Sequence, residues 1–386
     1  MLVLFGTGLA SFTFKASAKT YTIGPNTKPC DRTQNYENYN KNTKAFYTIR
    51  SYLAKINSQK GGTLVIKKGT YLISNTLYVG SNTHIVLKKG AVLKKTKKGG
   101  PLNPASSTMF QFVTEKRAQK TGSYGKHNGE KNISITGSGT IDMNYIKMSG
   151  DVIAIIMGHN KNITLKGITI KNMYYGHMIE MDACQNVKII NCTFKGFKKS
   201  GNWNKEAINL DTPDKKRVGF NSNWSKKDKT PNEQVLIQNC TFDTLEVGVG
   251  THRYTGDRYQ TDVTITGCKF RKNQTALRIL NYKNVNITNN TFTDCKPNAR
   301  YDYSMFIAGV HGIQFGNNVF TNCGTGGNLL EFWCDKGYDA NQTLYDPVFS
   351  ELTEEEAQMF LTNKAVNCTG CLIYECPWDV DFTQNE

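Results

Sequence analysis

The sequence lacks any run of 18 consecutive apolar residues, the minimum for a membrane-spanning helix, so we do not expect a membrane span. Residues 2–14 are apolar but form too short a stretch to cross a bilayer. They are followed by Ala16-Ser17-Ala18, the small-residue pattern of a signal-peptide cleavage site, although the usual positive charge at the start is missing. We therefore expect residues 1–18 to be a signal peptide and the mature protein to be secreted, extracellular or associated with a bacterial cell surface.

Acidic residues are scarce except near the C-terminus. The chain has 48 Lys and Arg against 31 Asp and Glu, a formal charge of +17, and residues 331–386 alone contribute −10, so the remainder carries +27. Such a field concentrates anionic partners, which outside a cell are uronate, sulfated or phosphate-bearing glycans. A solvated, lysine-rich surface is the alternative. No nucleic-acid-binding motif accompanies the charge, so nucleic acid is not expected as a partner.

The cysteines cannot all be paired, because there are 11 of them. Cys192, Cys240 and Cys268 each stand two residues before a phenylalanine, and Cys295 and Cys323 stand three residues after one. This regular placement predicts stacked, buried thiols that behave as small apolar side chains. The three cysteines nearest the C-terminus lack a fourth zinc ligand at a suitable spacing, so a local disulfide or free thiols are expected there.

A repeat of short β-branched runs dominates the middle of the chain. The leading apolar positions of the seven runs are Ile133, Ile163, Val187, Val235, Val263, Val285 and Ile313. They are separated by 30, 24, 48, 28, 22 and 28 residues, and the longest interval fits either two coils or one coil with a long loop. Five runs continue into a phenylalanine, at Phe194, Phe242, Phe270, Phe292 and Phe320.

Each run alternates apolar and polar residues, which is typical of a half-buried strand. A unit of this length cannot bury its inner face alone, whereas coils stacked about 4.8 Å apart bury a continuous apolar ladder. Asparagine at the corners suits a left-handed bend. The leucine and helix pattern of leucine-rich repeats is absent. We therefore predict an all-β fold, a right-handed, single-stranded parallel β-helix.

Both ends of such a solenoid need covers. Residues 43–60 have helical spacing of their apolar residues and predict an N-terminal capping helix. Thr353 and Glu356 form the pattern of a capping box at the start of a short helix near the other end. We expect residues 19–330 to form the catalytic β-helix with its N-terminal cap, and residues 331–386 to form an acidic, cysteine-containing C-terminal cap. A capped solenoid of this kind is expected to be a monomer.

Residues 61–71 resemble the entry coil of the pectin lyase-like superfamily. Residues 137–142 resemble the coil that precedes the catalytic region in one branch of it, the polygalacturonase-type glycoside hydrolases. Residues 204–210 are similar to the first catalytic motif of those hydrolases, with Glu206 in the acidic position, and residues 276–280 resemble their Arg-Ile-Lys motif with leucine in place of lysine. Residues 248–254 look like a displaced histidine motif, and no Asp-Asp pair is present. The resemblance implies a β-helix that hydrolyses an acidic polysaccharide.

Strand alternation predicts a site without reference to any family. If Ile208 and Leu210 point into the core, Asn209 and Asp211 point out. The same reasoning on neighbouring coils gives one outward column with Glu206 at its rim; its members are Glu180, Asp182, Asp211, His252 and Arg278. The glycines just before His252 are expected to leave open space over the sheet.

Carboxylates on neighbouring coils would lie about 5 Å apart, and a lateral offset would stretch this to the roughly 6.5–9.5 Å of inverting glycosidases. The predicted catalytic residues are Asp211, Glu206, Asp182 and His252. The predicted substrate-binding residues are Arg278, Glu180, Arg253, Tyr254 and Trp203. The aromatic residues Trp203, Trp224, Tyr254 and Tyr259 are either walls of a sugar-binding cleft or anchors of their loops.

Two other functions stay open. A polysaccharide lyase or C5-epimerase would abstract a proton with Arg278 or Lys283 and hold Ca²⁺ with Glu180, Asp182 and Asp211. A non-catalytic glycan-binding or adhesive solenoid would need no such chemistry. The hydrolase is expected to use no cofactor or metal, whereas the lyase would need Ca²⁺.

Overall fold

The structure is a computed structural model that describes residues 19–198, 206–297, 302–334 and 348–383. Its strands stack in parallel, coil upon coil, in sheets of eighteen and ten strands, which confirms the predicted right-handed parallel β-helix. In chain order the strands are β1 (Thr20–Ile23), β2 (Gly62–Ile66), β3 (Gly69–Ile73), β4 (Leu77–Tyr78), β5 (Thr83–Leu87), β6 (Ala91–Lys95), β7 (Thr108–Gln111), β8 (Lys131–Gly137), β9 (Thr140–Asp142), β10 (Ile153–Gly158), β11 (Lys161–Lys166), β12 (Thr169–Met173), β13 (Ile179–Asp182), β14 (Gln185–Ile190), β15 (Thr193–Phe197), β16 (Glu206–Asp211), β17 (Glu233–Gln238), β18 (Thr241–Asp243), β19 (Val247–Gly250), β20 (Gln260–Thr266), β21 (Lys269–Arg271), β22 (Thr275–Thr288), β23 (Thr291–Thr293), β24 (Tyr303–Gly316), β25 (Val319–Thr321), β26 (Asn328–Trp333), β27 (Lys364–Val366) and β28 (Cys371–Tyr374).

The seven repeated runs lie in one register. Their leading apolar residues pair from coil to coil in the predicted order, from Ile133 to Ile313. Val187 pairs directly with Val235, so the 48-residue interval is one coil with a long insertion. The coil begins with β16, which pairs with β13 and β19 on the face where the candidate site lies, and residues 212–232 of the insertion follow it.

The core is a stack of matching side chains. The five repeat phenylalanines pair in register, and their rings stack with centroids 4.6–5.0 Å apart. The five repeat cysteines are buried and unbonded, which confirms the predicted thiol stacks. Burial of these rings removes most of their apolar surface from water and stabilises each coil against its neighbours.

Corners of the coils are built from asparagine. Asn132, Asn162 and Asn186 have φ values of 57°, 58° and 55°, the left-handed conformation that the sequence predicted. The amide of Asn162 donates to the side-chain oxygen of Asn132 at 2.9 Å, and that of Asn186 donates to Asn162 at 2.8 Å. The turns therefore stack through their side chains as well as their backbone.

Two helices cover the ends. Helix α1 (Lys44–Ser58) buries the predicted apolar stripe, and a short helix, α2 (Glu115–Ala118), lies between β7 and β8. Helix α3 (Glu354–Phe360) begins with the predicted capping box, in which both reciprocal hydrogen bonds are made. A 3-10 turn (Thr33–Asn35) precedes α1. In the described part of the chain no helix has the length and apolar character needed to cross a bilayer.

The C-terminal segment joins the solenoid as well as covering its end. β27 pairs with β25, and β28 pairs with β26. The boundary predicted after residue 330 falls inside β26, and Cys334 in this region forms a disulfide with Cys376. The tail is therefore held by both sheets and by a covalent bond.

Candidate active site

The outer face of the stack carries polar side chains on four consecutive coils. In strand register the row runs Glu180, Asn209, Gly250 and Arg278, and beside it Asp182 lies opposite Asp211. Alternation along β13, β16 and β22 turns these positions away from the core, as the sequence predicted. Stacking therefore gathers, within about 14 Å along the solenoid, residues that are almost 100 positions apart.

Alternation fails at the corner where each of these strands begins. Ala207 and Ile208 both belong to the apolar core, and Glu206 just before them turns outward. The equivalent pair 178–179 is also in the core, which turns His177 outward one coil earlier. The sequence predicted Glu206 at the rim of the column. The structure corrects this, because Glu206 is the fully buried first residue of β16.

Glu206 lies between two imidazole rings. Its Oε2 is 3.5 Å from Nδ1 of His177 and 3.5 Å from Nδ1 of His252. The two rings stack with centroids 5.5 Å apart and an interplanar angle of 20°. Sequence reasoning missed His177, although its position two residues before the inward Ile179 matches that of Glu206 before Ile208 and would have signalled it.

Charge pairing sets the ionisation of this cluster. Burial alone would raise the pKa of Glu206, but His252, His177 and Arg278 outweigh it and hold that pKa far below its usual range. Burial lowers the pKa of His252, but Asp211 and Glu206 outweigh it and raise that pKa to about 9. At neutral pH the pair is therefore a buried carboxylate and an imidazolium.

Asp211 organises the loop that carries His252. Its Oδ1 accepts hydrogen bonds from the backbone N–H groups of His252 and Arg253, both at 3.0 Å. Its Oδ2 is 3.5 Å from Nδ1 of His252. The predicted substrate-binding residue Arg253 is thus tied to the site through its main chain.

The pKa values of Glu180 and Asp182 are shifted upward, opposite to that of Glu206. Burial raises the pKa of Glu180, even though His177 lies 3.5 Å from its Oε2, and Asn209 donates to the same oxygen at 3.4 Å. Burial, together with the charges of Glu180 and Asp211, raises the pKa of Asp182 well above its usual range. Neighbouring coils therefore hold carboxyl groups whose pKa values are shifted in opposite directions, up at Glu180 and Asp182 on β13 and down at Glu206 on β16.

The glycines before His252 do not leave the open space that the sequence suggested. A Cβ at Gly250 would lie 2.9 Å from Cβ of Arg278 and 3.3 Å from Cγ of Glu206. A Cβ at Gly248 would meet the Phe270 ring at 2.9 Å, on the core side. Glycine is needed at 250 because Glu206 and Arg278 close over it.

The opening of the site is narrow. Asp182, Glu206 and Asp211 are 0 % exposed, and Arg278 is 5 % exposed. The side chain of His252 is 26 % exposed and that of Glu180 is 11 % exposed. Solvent and ligands therefore reach the cluster over His252 and Glu180.

Two of the four aromatic residues of the insertions, Trp224 and Tyr254, are buried. Trp224 is 2 % exposed and Tyr254 is 0 % exposed, each inside a separate apolar cluster. Tyr259 packs edge-on against His311 with centroids 4.8 Å apart. Trp203 lies outside the described residues. Trp224 and Tyr254 thus anchor their loops with buried rings and offer no exposed ring face for a sugar to stack on.

One set of side chains in the described residues has the spacing of a metal site. His177, Glu206 and His252 each offer one ligand atom, and these atoms lie within 4.8 Å of one another. The same spacing also suits the hydrogen-bonded carboxylate and imidazolium described above. A metal ion would have to displace the proton that the raised pKa of His252 retains.

Comparisons with known proteins support the fold. Residues 229–377 match the model of the right-handed β-helix region. The chain is 28 % identical over 291 residues to plasmin and fibronectin-binding protein A of Streptococcus pneumoniae, an alignment that covers 66 % of this chain and 36 % of that relative. The chain therefore spans little more than a third of the relative's length.

Solved structures show the same architecture at low identity. The S. pneumoniae surface protein and adhesin PfbA superposes with a TM-score of 0.57 at 18 % identity, covering 85 % of this chain and 88 % of that one. The polygalacturonase of Erwinia carotovora superposes with a TM-score of 0.51 at 14 % identity, covering 95 % and 96 %. A similar fold therefore occurs in an adhesin and in a polygalacturonase. The fold alone does not distinguish these two functions, so support for one of them has to come from the chemistry of the site.

Proposed function

We propose that this chain, which has the right-handed parallel β-helix fold of pectin lyase-like proteins, is a glycoside hydrolase that cleaves an acidic polysaccharide outside the cell or at its surface. The observation that carries the proposal is that buried carboxyl groups on adjacent coils have pKa values shifted in opposite directions, raised at Glu180 and Asp182 and lowered at Glu206. Titratable groups whose pKa values are pushed apart by their surroundings are typical of acid and base pairs.

The acid belongs to β13. Glu180 and Asp182 both have raised pKa values, and Glu180 is the one whose side chain reaches the opening. We assign Glu180 to protonate the leaving glycosidic oxygen. Asp182, predicted from the sequence as catalytic, lies deeper, and burial with the charges of Glu180 and Asp211 raises its own pKa. The sequence predicted Asp182 as catalytic and Glu180 as substrate-binding, and the proposal gives the catalytic role to Glu180 instead.

The base belongs to the following coil. Glu206 and Asp211 both lie against the His252 imidazole, but the pKa of Glu206 is held far below its usual range, which makes Glu206 a poor base. We assign Asp211 to take the proton from a water molecule. The water oxygen then bonds to the anomeric carbon while the bond from that carbon to the leaving oxygen breaks. The proton from Glu180 completes the leaving hydroxyl, so hydrolysis consumes one water and needs no redox partner.

Charge favours an anionic substrate. The chain has a formal charge of +17, and Arg278 brings a guanidinium to the floor of the site. Arginine recognises carboxylate and sulfate groups through paired hydrogen bonds. A uronate-containing or sulfated glycan is therefore the proposed substrate class.

Asp211→Asn tests the assignment. The amide oxygen can still accept from the two backbone N–H groups, so the fold is retained, but the base charge is lost. We expect the release of reducing ends to fall by about 10²–10⁴-fold. Asp257→Asn, at a solvent-exposed aspartate, is the matched control and should be unaffected. Unchanged turnover by Asp211→Asn would refute the assignment.

The same assay separates hydrolase from lyase. A hydrolase forms reducing ends without new ultraviolet absorbance and continues to act in chelator. A Ca²⁺-dependent lyase forms an absorbing double bond and stops when the chelator removes its metal. Absorbance that disappears in chelator would move the chemistry to Arg278 and a Ca²⁺ site.

Adhesion is a second candidate because of the sequence similarity to plasmin and fibronectin-binding protein A. Burial of several ionisable groups costs folding free energy, however, and surface binding does not account for that cost. Binding of immobilised plasmin or fibronectin that survives Asp211→Asn, with no cleavage of any polysaccharide, would favour adhesion over hydrolysis.

A further inference from the structure

The face that carries the candidate site is closed along the solenoid axis on the N-terminal side. Gly158 of β10 lies opposite Asp182 and is its neighbour in the outward column. A Cβ at Gly158 would lie 2.6 Å from the Trp224 indole and 2.7 Å from the Phe220 ring. The two aromatic rings of segment 212–232 therefore stand directly over the coil that precedes the site.

Trp224 and Phe220 form the first wall of the site, and packing and a hydrogen bond hold it in place. Trp224 packs edge-on against Phe220 and Tyr124, with centroids 5.1 and 6.0 Å apart. Its indole N–H donates to Oε1 of Gln111 at 3.2 Å, and Gln111 lies in the same outward column two coils before Glu180. The wall is thus anchored to the floor of the face by a hydrogen bond as well as by packing.

A second wall closes the C-terminal side. Phe306 lies opposite Arg278 on the next coil, and Leu280 lies two residues after Arg278 on the same strand. Both belong to an apolar cluster that is completed by Tyr254 from the loop after β19, and all three are at most 1 % exposed. The polar floor therefore ends where this cluster begins.

The distance between the walls is short. From Glu180 to Arg278 the floor spans three coil spacings, about 14 Å at the usual distance between strands. Within it the three most deeply placed carboxyl groups are fully buried, and His252 is the most exposed titratable side chain. A polymer cannot continue along the axis past either wall.

We infer that the site accepts the end of a glycan chain, or a terminal branch sugar, and releases small products rather than cutting within the chain. The inference rests on the proposed hydrolase function and adds its mode of action. Trp224 and Phe220 act as specificity-determining residues: they contact no reacting atom, and they exclude the sugars that would extend beyond the coil of Asp182.

The test follows polymer size and chain ends together. Polygalacturonate, chondroitin sulfate and neutral xylan are incubated with the full chain, and reducing ends are counted while polymer mass is followed by light scattering after size-exclusion chromatography. We expect new ends on an anionic polymer with small sugars as products and almost no early loss of polymer mass. Early loss of mass would overturn the end-on inference but keep the hydrolase, and no new ends on any polymer would overturn both.

Trp224→Ala extends the test to the wall. We expect this variant to lose polymer mass earlier than the wild type at equal numbers of new ends, because the floor becomes continuous toward β10. Trp378→Ala, at a partly exposed tryptophan near the C-terminus, is the matched control and should keep the wild-type profile. If circular dichroism shows that Trp224→Ala is unfolded, Phe220→Leu replaces it. A folded wall variant with the wild-type profile would overturn the assigned role.

Discussion

The protonation of His252 offers a direct measurement of the site without any substrate. Its pKa of about 9 lies about 2.5 above the usual 6.5, a difference of about 3 kcal/mol between the two protonation states. Asp211 and Glu206, each 3.5 Å from Nδ1, produce this rise against the opposing effect of burial. At an effective dielectric constant near 20, one such contact contributes up to about 5 kcal/mol.

Glu206→Gln removes one of the two charges and keeps the volume. Asp211, whose charge has the largest single raising effect on this pKa, remains to oppose burial, so we expect the pKa of His252 to fall by about 1–2. The assay is a nuclear magnetic resonance titration of the imidazole protons, with the signal identified by its loss in His252→Asn. Glu233→Gln, next to His127, is the matched control and should leave the His252 titration unchanged.

The same titration predicts how stability depends on pH. Because the folded-state pKa of His252 is raised, its contribution is fully present below about pH 6.5 and is lost as pH rises through about 9. The difference in free energy of unfolding between wild type and Glu206→Gln should therefore shrink across that window. A His252 pKa near 6.5 in the wild type, or one that Glu206→Gln does not move, would refute the charge pairing on which the site is built.

Two further predictions concern the scaffold. Lys95 is fully buried and donates to two backbone oxygens, and burial lowers its pKa to about 7, so its destabilising effect is absent above about pH 10 and complete below about pH 7. The stability of Lys95→Met relative to wild type should therefore rise by about 2–3 kcal/mol from pH 10 to pH 8 in denaturant titrations, and parallel curves would contradict this. Gly250→Ala should destabilise by about 1–3 kcal/mol in thermal unfolding and reduce turnover, because the new methyl group meets Arg278. Gly24→Ala, where a Cβ meets no atom within 4 Å, is its control, and equal melting temperatures of the two variants would show that the space at 250 is not restricted.

Much of the candidate site could be read from strand alternation. Glu180, Asp182 and Asp211 were placed on one outward face from the parity of their apolar neighbours, and the register confirms that placement. Parity could not place His177 and Glu206, because two consecutive residues turn inward at the corner before each strand. A corner depends on backbone geometry that local patterns of hydrophobicity do not encode.

The sequence by itself determined the solenoid. A period of 22–30 residues with apolar alternation, corner asparagines and repeated phenylalanines can bury its apolar face only by stacking, so the ladder from Phe194 to Phe320 follows from the pattern alone. Only the tertiary structure decided what stands over the outer face. The rings of Trp224 and Tyr254 close the site from insertions that have no repeat, and their positions result from packing between segments distant in sequence. Which carboxyl groups have raised and which have lowered pKa values was likewise decided by burial and by neighbours on other coils, since a pKa responds to distances in space rather than to order along the chain.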